Sequence, residues 1–136
     1  MFERHEFQVR TERNGVLNIT EKVVEKINDS EIKNGFCLVF SRHTTAGIIV
    51  NENEKGLVED MESFLEKLAP EDKKYMHNRG PDKNGHAHLR NILTGSGQTL
   101  PVEKGSLVSG TWQNIFLVEG DSPRTRNIDV YLIGEK

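Results

Sequence analysis

The sequence predicts a single α+β domain over residues 1–136, and three observations lead there. β-type segments open and close the chain. One stretch, from about Glu54 to Leu68, has clear helical spacing before Pro70. The C-terminal third reads mainly as strands joined by short turns, which suits antiparallel sheet. A chain of 136 residues fits one core of ordinary size, and no repeat or shift of composition marks a second domain.

Phe2, His5, Phe7 and Val9 alternate loosely, as in an opening strand with one wet face. Arg13-Asn14-Gly15 marks a turn. A short apolar stretch then leads to Thr20, placed to cap a helix, with Ile19 and Val24 spaced for a hydrophobic staple. Val23, Val24 and Ile27 give that helix a narrow apolar face, and Gly35 ends the region. Phe36–Phe40 and Gly47–Val50 are β-rich runs on either side of the polar connection Ser41 to Ala46. Leu57, Val58, Met61, Phe64, Leu65 and Leu68 form the apolar face of the main helix, which Pro70 stops. Residues 70–88 hold two prolines, two glycines and three histidines without periodicity, a long connection of the kind that carries function. Leu89, Ile92 and Leu93 suggest a short helix starting near Ala87 and ending at Gly95. Strands are expected at Thr99–Val102, Leu107–Ser109, Ile115–Glu119 and Ile128–Ile133.

Composition excludes several classes of function. A formal charge of -3 argues against wholesale nucleic-acid binding, which needs an excess of Lys and Arg on one surface. No apolar run approaches the roughly 20 residues of a membrane helix, and no signal-like segment opens the chain, so a cytoplasmic location is expected. Cys37 is the only cysteine, so neither an internal disulfide nor a thiolate metal cage is available. The sequence has no nucleophile elbow, dinucleotide fingerprint, phosphate-binding loop of the Walker type or paired-histidine zinc helix.

Four of the five histidines fall in two places: His43 just past a strand, and His77, His86 and His88 in or beside the long connection. Neutral imidazoles bind zinc and similar ions, and a three-histidine set leaves a position open for water or substrate. If Gly85-His86-Ala87-His88 is extended, His86 and His88 share a face; if it is helical, they point in roughly opposite directions. The plain alternative is a set of exposed or hydrogen-bonded loop histidines. Arg90, Arg124 and Arg126 are candidates for phosphate or carboxylate recognition, because guanidinium groups bind both through paired hydrogen bonds. Asn51 and Glu52 follow the His43 segment, where a carboxylate serves proton transfer or orients an imidazole. Trp112, the sole tryptophan, suits the wall of a pocket for a flat heteroaromatic ligand, and equally a core or subunit contact.

His43-Thr44-Thr45-Ala46-Gly47, Asn51-Glu52-Asn53, Gly85-His86-Ala87-His88-Leu89 and Gly110-Thr111-Trp112-Gln113, in that order, resemble the YjbQ family, the secondary thiamine-phosphate synthase family. Tyr75-Met76-His77, Leu100-Pro101-Val102 and Glu119-Gly120-Asp121-Ser122-Pro123-Arg124 extend the resemblance over nearly the whole chain. It implies two packed, mainly antiparallel sheets with two or three helices, assembly as a homotrimer, and sites near the subunit boundaries. The activity it implies is transfer: a hydroxymethylpyrimidine diphosphate is joined to a thiazole phosphate with loss of pyrophosphate. The residues carried over are His43, His77 and His88 as ligands of a divalent metal, by its chemistry zinc, with His86 in reserve. Asn51, Glu52 and Arg90 are the corresponding catalytic candidates. Thr44, Trp112, Arg124 and Arg126 are the candidate contacts to a phosphorylated small-molecule substrate. Arg42, next to His43, departs from many relatives and bears on substrate charge. Two alternatives use the same residues: a metal-assisted phosphate-ester hydrolase, and a non-catalytic metal or small-ligand binding protein.

Overall fold

The computed structural model describes residues 1–136 as two antiparallel sheets and three α-helices around one core. In chain order these are β1 (Phe2–Arg10), β2 (Val16–Asn18), α1 (Thr20–Asn28), β3 (Asn34–Ser41), β4 (Ala46–Glu52), α2 (Lys55–Leu68), α3 (Gly85–Thr94), β5 (Gly97–Glu103), β6 (Ser106–Leu107), β7 (Gln113–Glu119) and β8 (Thr125–Glu135). A one-turn 3-10 helix, Met76–Arg79, lies in the long connection before α3. The expected α+β class is what the chain adopts.

The larger sheet has the order β1-β8-β3-β5-β6 and the smaller β2-β7-β4. Burial alternates along β3, where Cys37, Val39 and Ser41 face inward, so this sheet shows one face to the core. In β7, Ile115 to Glu119 are all buried, because the smaller sheet is covered on both faces. Ile115 and Leu117 join the shared core, while α3 packs against β7 and β4. A continuous apolar run is the pattern of such a doubly covered strand.

The helices depart from expectation in instructive ways. Thr20 does not cap α1: Ile19 holds the cap position, and Thr20 Oγ1 instead donates to Asn18 Oδ1 at 2.6 Å and accepts the Ile115 N–H at 2.8 Å. The hydroxyl therefore ties the helix to β7. Glu54 does cap α2, accepting the Gly56 and Leu57 N–H groups at 3.0 and 2.6 Å. Of the apolar face of α2 only Leu65 is buried, leaving Phe64 and Leu68 exposed. α3 starts at Gly85, earlier than its apolar residues suggest. The strand expected to run through Ser109 stops at Leu107, and β4 continues through Asn51 and Glu52.

Cys37 is fully buried in β3, and burial alone pushes its thiol up to about 12. Iodoacetamide at pH 8 is expected to leave the folded protein unmodified and to alkylate it fully in denaturant. Intact mass before and after unfolding checks this, and rapid labelling of the folded chain would contradict the packing of β3.

Candidate functional site

The connection Ser41 to Ala46 carries the chain from the larger sheet to the smaller. Its closing contacts are short: Ser41 Oγ donates to the Ala46 carbonyl at 2.7 Å and receives the His43 N–H at 3.3 Å. This fold of the loop sets His43 against β8. His43 Nε2 lies 3.1 Å from both the N–H and the carbonyl of Asn127, accepting from the first in one neutral tautomer and donating to the second in the other. Burial, with Arg126 nearby, lowers its pKa and favours the neutral ring. Thr44 is exposed, whereas Thr45 is buried.

Beneath this loop lies a buried ion pair. Arg126 Nε and Nη2 donate to Glu119 Oε1 and Oε2 at 2.8 and 2.5 Å, and Nη2 also donates to Thr45 Oγ1 at 2.8 Å. Thr11 Oγ1 and the Asp121 N–H complete the Glu119 carboxylate at 2.6 and 3.1 Å. Burial works to raise the Glu119 pKa, but the bonds from Arg126, Thr11 and the Asp121 backbone outweigh it and hold the carboxylate below its ordinary range. The strands explain the meeting: Glu119 ends β7 and Arg126 begins β8, in different sheets.

From here polar contacts run to the second histidine group. Asp121 Oδ2 accepts Asn84 Nδ2 at 2.8 Å, and Asn84 Oδ1 lies 2.8 Å from His77 Nε2. Burial works to raise the Asp121 pKa, and the bonds from Asn84 and the Ser122 N–H outweigh it to give a net lowering. The rings of His77 and His88 meet edge to face, centroids 4.6 Å apart and planes inclined by 71°. Because the segment is helical from Gly85, His86 and His88 diverge: His88 joins His77, while His86 turns inward and is 4% exposed.

The remaining candidates lie elsewhere. Asn51 and Glu52 end β4, opposite Asn114 and Gln113, whereas Ala46 at the start of β4 pairs with Glu119. Six strand residues, about 20 Å, separate these two ends. Trp112 precedes β7 at the Glu52 end and is 70% exposed. Arg90 is 3% exposed and already occupied, donating to the Ala69 carbonyl at 3.0 Å and Asn14 Oδ1 at 2.9 Å and pairing with Glu66. It ties α3 to the end of α2. Arg126 is likewise enclosed, bonded to Glu119 and Thr45. Arg124 is partly open, held by the Ser122 carbonyl and hydroxyl and 3.4 Å from Asp121.

Chain 5–135 matches the family model described as UPF0047 protein, YjbQ-like. The chain belongs to the YjbQ family. A UPF0047 protein of Methanothermobacter thermautotrophicus is 46% identical over 131 residues, covering 96% of this chain and 91% of the relative. The UPF0047 protein YugU of Bacillus subtilis is 34% identical over 125 residues, covering 91% and 93%. Among solved structures, a YbjQ-like protein of unknown function from Sulfolobus solfataricus aligns with a TM-score of 0.95 at 42% identity over 99% of both chains. A hypothetical protein of Aeropyrum pernix gives 0.93 at 41% identity over 98% and 99%. These YjbQ-type likenesses span the His43 loop, the long connection and α3 together.

No group of three or more His, Cys, Asp or Glu side chains within this single chain comes together as a metal cluster. His77 and His88 are adjacent, and His43 belongs to the Asn127 contact. Three imidazoles do not close around one ion inside one subunit. No helix is long and apolar enough to cross a membrane.

Proposed function

We propose that the chain acts on phosphorylated small molecules as a transferase of the thiamine-phosphate synthase type, with the His77–His88 pair forming part of a divalent-metal site, by its ligand chemistry zinc. The observation that carries the metal reading is that pair: two imidazoles in contact, His77 fixed through Nε2 by Asn84, itself held by Asp121. An outer carboxamide and carboxylate orienting a ligating histidine is a recurrent arrangement around protein-bound metals.

One chain supplies too few donors for a closed site, and the same helix suggests where the remainder comes from. Leu89, Ile92 and Leu93 of α3 are 42%, 75% and 55% exposed, an apolar stripe without a cover in the single subunit. A homotrimer that buries this stripe brings donors of a second copy toward His77 and His88, and is the assembly proposed here. It also offers a way for Glu52, Asn51 and Trp112, remote from the histidines within one chain, to share a site with them.

A bound divalent ion neutralises the charge that develops on a departing diphosphate. The chain's own task is positioning: to hold the thiazole nitrogen in line with the pyrimidine methylene while the C–N bond forms, the C–O bond breaks and pyrophosphate leaves. The first test is elemental mass spectrometry on tag-free protein, wild type beside His88→Ala, normalised per chain. Near-stoichiometric zinc or a similar ion, lost in the variant, is the expected result and leads on to assays with diphosphate substrates. Metal-free wild type, or equal metal in both, overturns the histidine site.

A further inference from the structure

A polar cavity of about 520 Å³ opens at the N-terminal end of α3, beside the Asn84 that holds His77, and Pro81 is the one apolar side chain in its wall. Its wall includes Arg13, Arg124, Lys83, His86, Glu71 and Asp121. Formal charges nearly balance, so what the cavity selects depends on which of these groups already have partners.

The acids are largely engaged. Asp121 Oδ1 accepts the Ser122 N–H at 2.8 Å and faces Arg124, while Oδ2 accepts Asn84. Glu71 is paired with Arg13. Asp82, the remaining acid of the wall, has no ion-pair partner and is exposed to solvent. Lys83 is held by the Asn78 and Gly80 carbonyls, and besides Asp82 and Glu71 Oε2 the charged groups left without intramolecular partners are arginine N–H donors. Arg13 uses only Nη2, leaving Nε and Nη1; Arg124 uses Nε and Nη2, leaving Nη1. The N-cap residue Asn84 makes no side-chain cap bond, because its carboxamide is turned to Asp121 and His77. In the first turn of α3 the Gly85 N–H is taken by Asn78 Oδ1 at 2.9 Å and the Ala87 and His88 N–H groups by the Asn84 carbonyl at 3.0 and 3.4 Å, which leaves the His86 N–H open.

His86 supplies the independent sign of a ligand. It is 4% exposed and lines the cavity, and its buried Nδ1 has no hydrogen-bond partner in the protein. A buried polar atom left unpaired is costly, and such atoms in native structures call for a partner. The open His86 N–H, two arginines with free N–H groups and the unpaired His86 imidazole together describe an oxyanion receptor.

We propose that this cavity is a phosphate-binding site, taking the phosphate of a small phosphomonoester against the start of α3, with Arg13 and Arg124 as its clamps and His86 at its back wall. The site rests on the phosphorylated class of ligand in the transferase reading, uses Arg124 from its substrate contacts, borders the Asn84–Asp121 support of His77, and needs no metal.

The test is calorimetric titration of chelator-stripped protein with phenyl phosphate and, separately, with inorganic phosphate, at low ionic strength. Phenyl phosphate is expected to bind saturably and at least as tightly as inorganic phosphate. Arg13→Gln and Arg124→Gln should each weaken it about tenfold, as expected for losing one charge-assisted contact, and the double variant should abolish it. His88→Ala should bind phenyl phosphate like wild type, which separates this site from the metal site. Both arginines are partly exposed, and a thermal melt checks that the variants remain folded. In wild type, the amide resonances of Gly85, His86 and Ala87 should shift on titration, a readout that needs no variant. Absence of saturable binding, binding of inorganic phosphate alone, an unaltered double variant, or shifts confined to other regions would each overturn the assignment.

Discussion

Replacing Arg126 by Met is expected to destabilise the protein by about 3–5 kcal/mol, because it strands the Glu119 carboxylate in a buried position. The two side chains are 4% and 1% exposed, so water cannot take over the lost partner. Glu119→Leu alone should cost a comparable amount by leaving the guanidinium unpaired. The double variant Arg126→Met, Glu119→Leu should recover much of the loss, since removing both charges removes the desolvation that each imposes. Thermal and urea unfolding of the four proteins forms the cycle; equal, small and additive losses would show that the pair contributes little.

Acid unfolding offers a check by another route. Glu119 has a folded pKa below its ordinary 4.5, so the folded chain binds its proton less readily than the unfolded chain. The stabilisation from this group is full above the unfolded value and is lost as pH falls from about 4.5 through the lower folded value. Asp121 acts in the same direction from its ordinary 3.8. Stability should fall more steeply below pH 4.5 in wild type than in the double variant, which lacks the Glu119 carboxyl. Parallel profiles would remove Glu119 from the acid response.

How far the sequence foreshadows this arrangement depends on where the information is local. α2 is legible because its apolar spacing and Pro70 lie within one segment, whereas its Glu54 cap, read from sequence as a solvated helix residue, is seen only in the structure. The start of α3 is not, because Gly-His-Ala-His has no apolar period and its helical state depends on packing: a Cβ on Gly85 would come within 2.8 Å of Tyr75 Cβ. The same packing decides that His88 meets His77 while His86 turns away. The histidine pair was within reach of composition, but the Glu119–Arg126 pair was not. Its members are seven residues apart on strands of different sheets, and the available signal was a lone acid at the end of a wholly apolar run, which calls for a buried partner without naming it. Asn51 and Glu52 show the converse, being only eight or nine residues from His43 and yet carried away from it by an extended β4.

Gly47 should be the most sensitive glycine for the seating of α3. A Cβ built there would lie 2.0 Å from Thr94 Oγ1 and 2.4 Å from the Gly95 carbonyl oxygen, well inside contact distance. The second clash is with backbone, and that backbone is in use: Gly95 accepts the Ile48 N–H at 3.0 Å, joining the C-terminal end of α3 to β4. No side-chain rotation relieves it, so Gly47→Ala must push the end of α3 away from the sheet. A loss of about 3 kcal/mol is expected, the upper range for overpacking a tight contact. Thr94→Ala in the Gly47→Ala background should restore only part of it, because the hydroxyl contact is removed and the carbonyl contact remains. If that double variant regains wild-type stability, the constraint lies in the Thr94 side chain and not in the close approach of helix end to strand. If Gly47→Ala alone is neutral, α3 is seated farther from β4 than the structure places it, and the positions of His86 and His88 move with it.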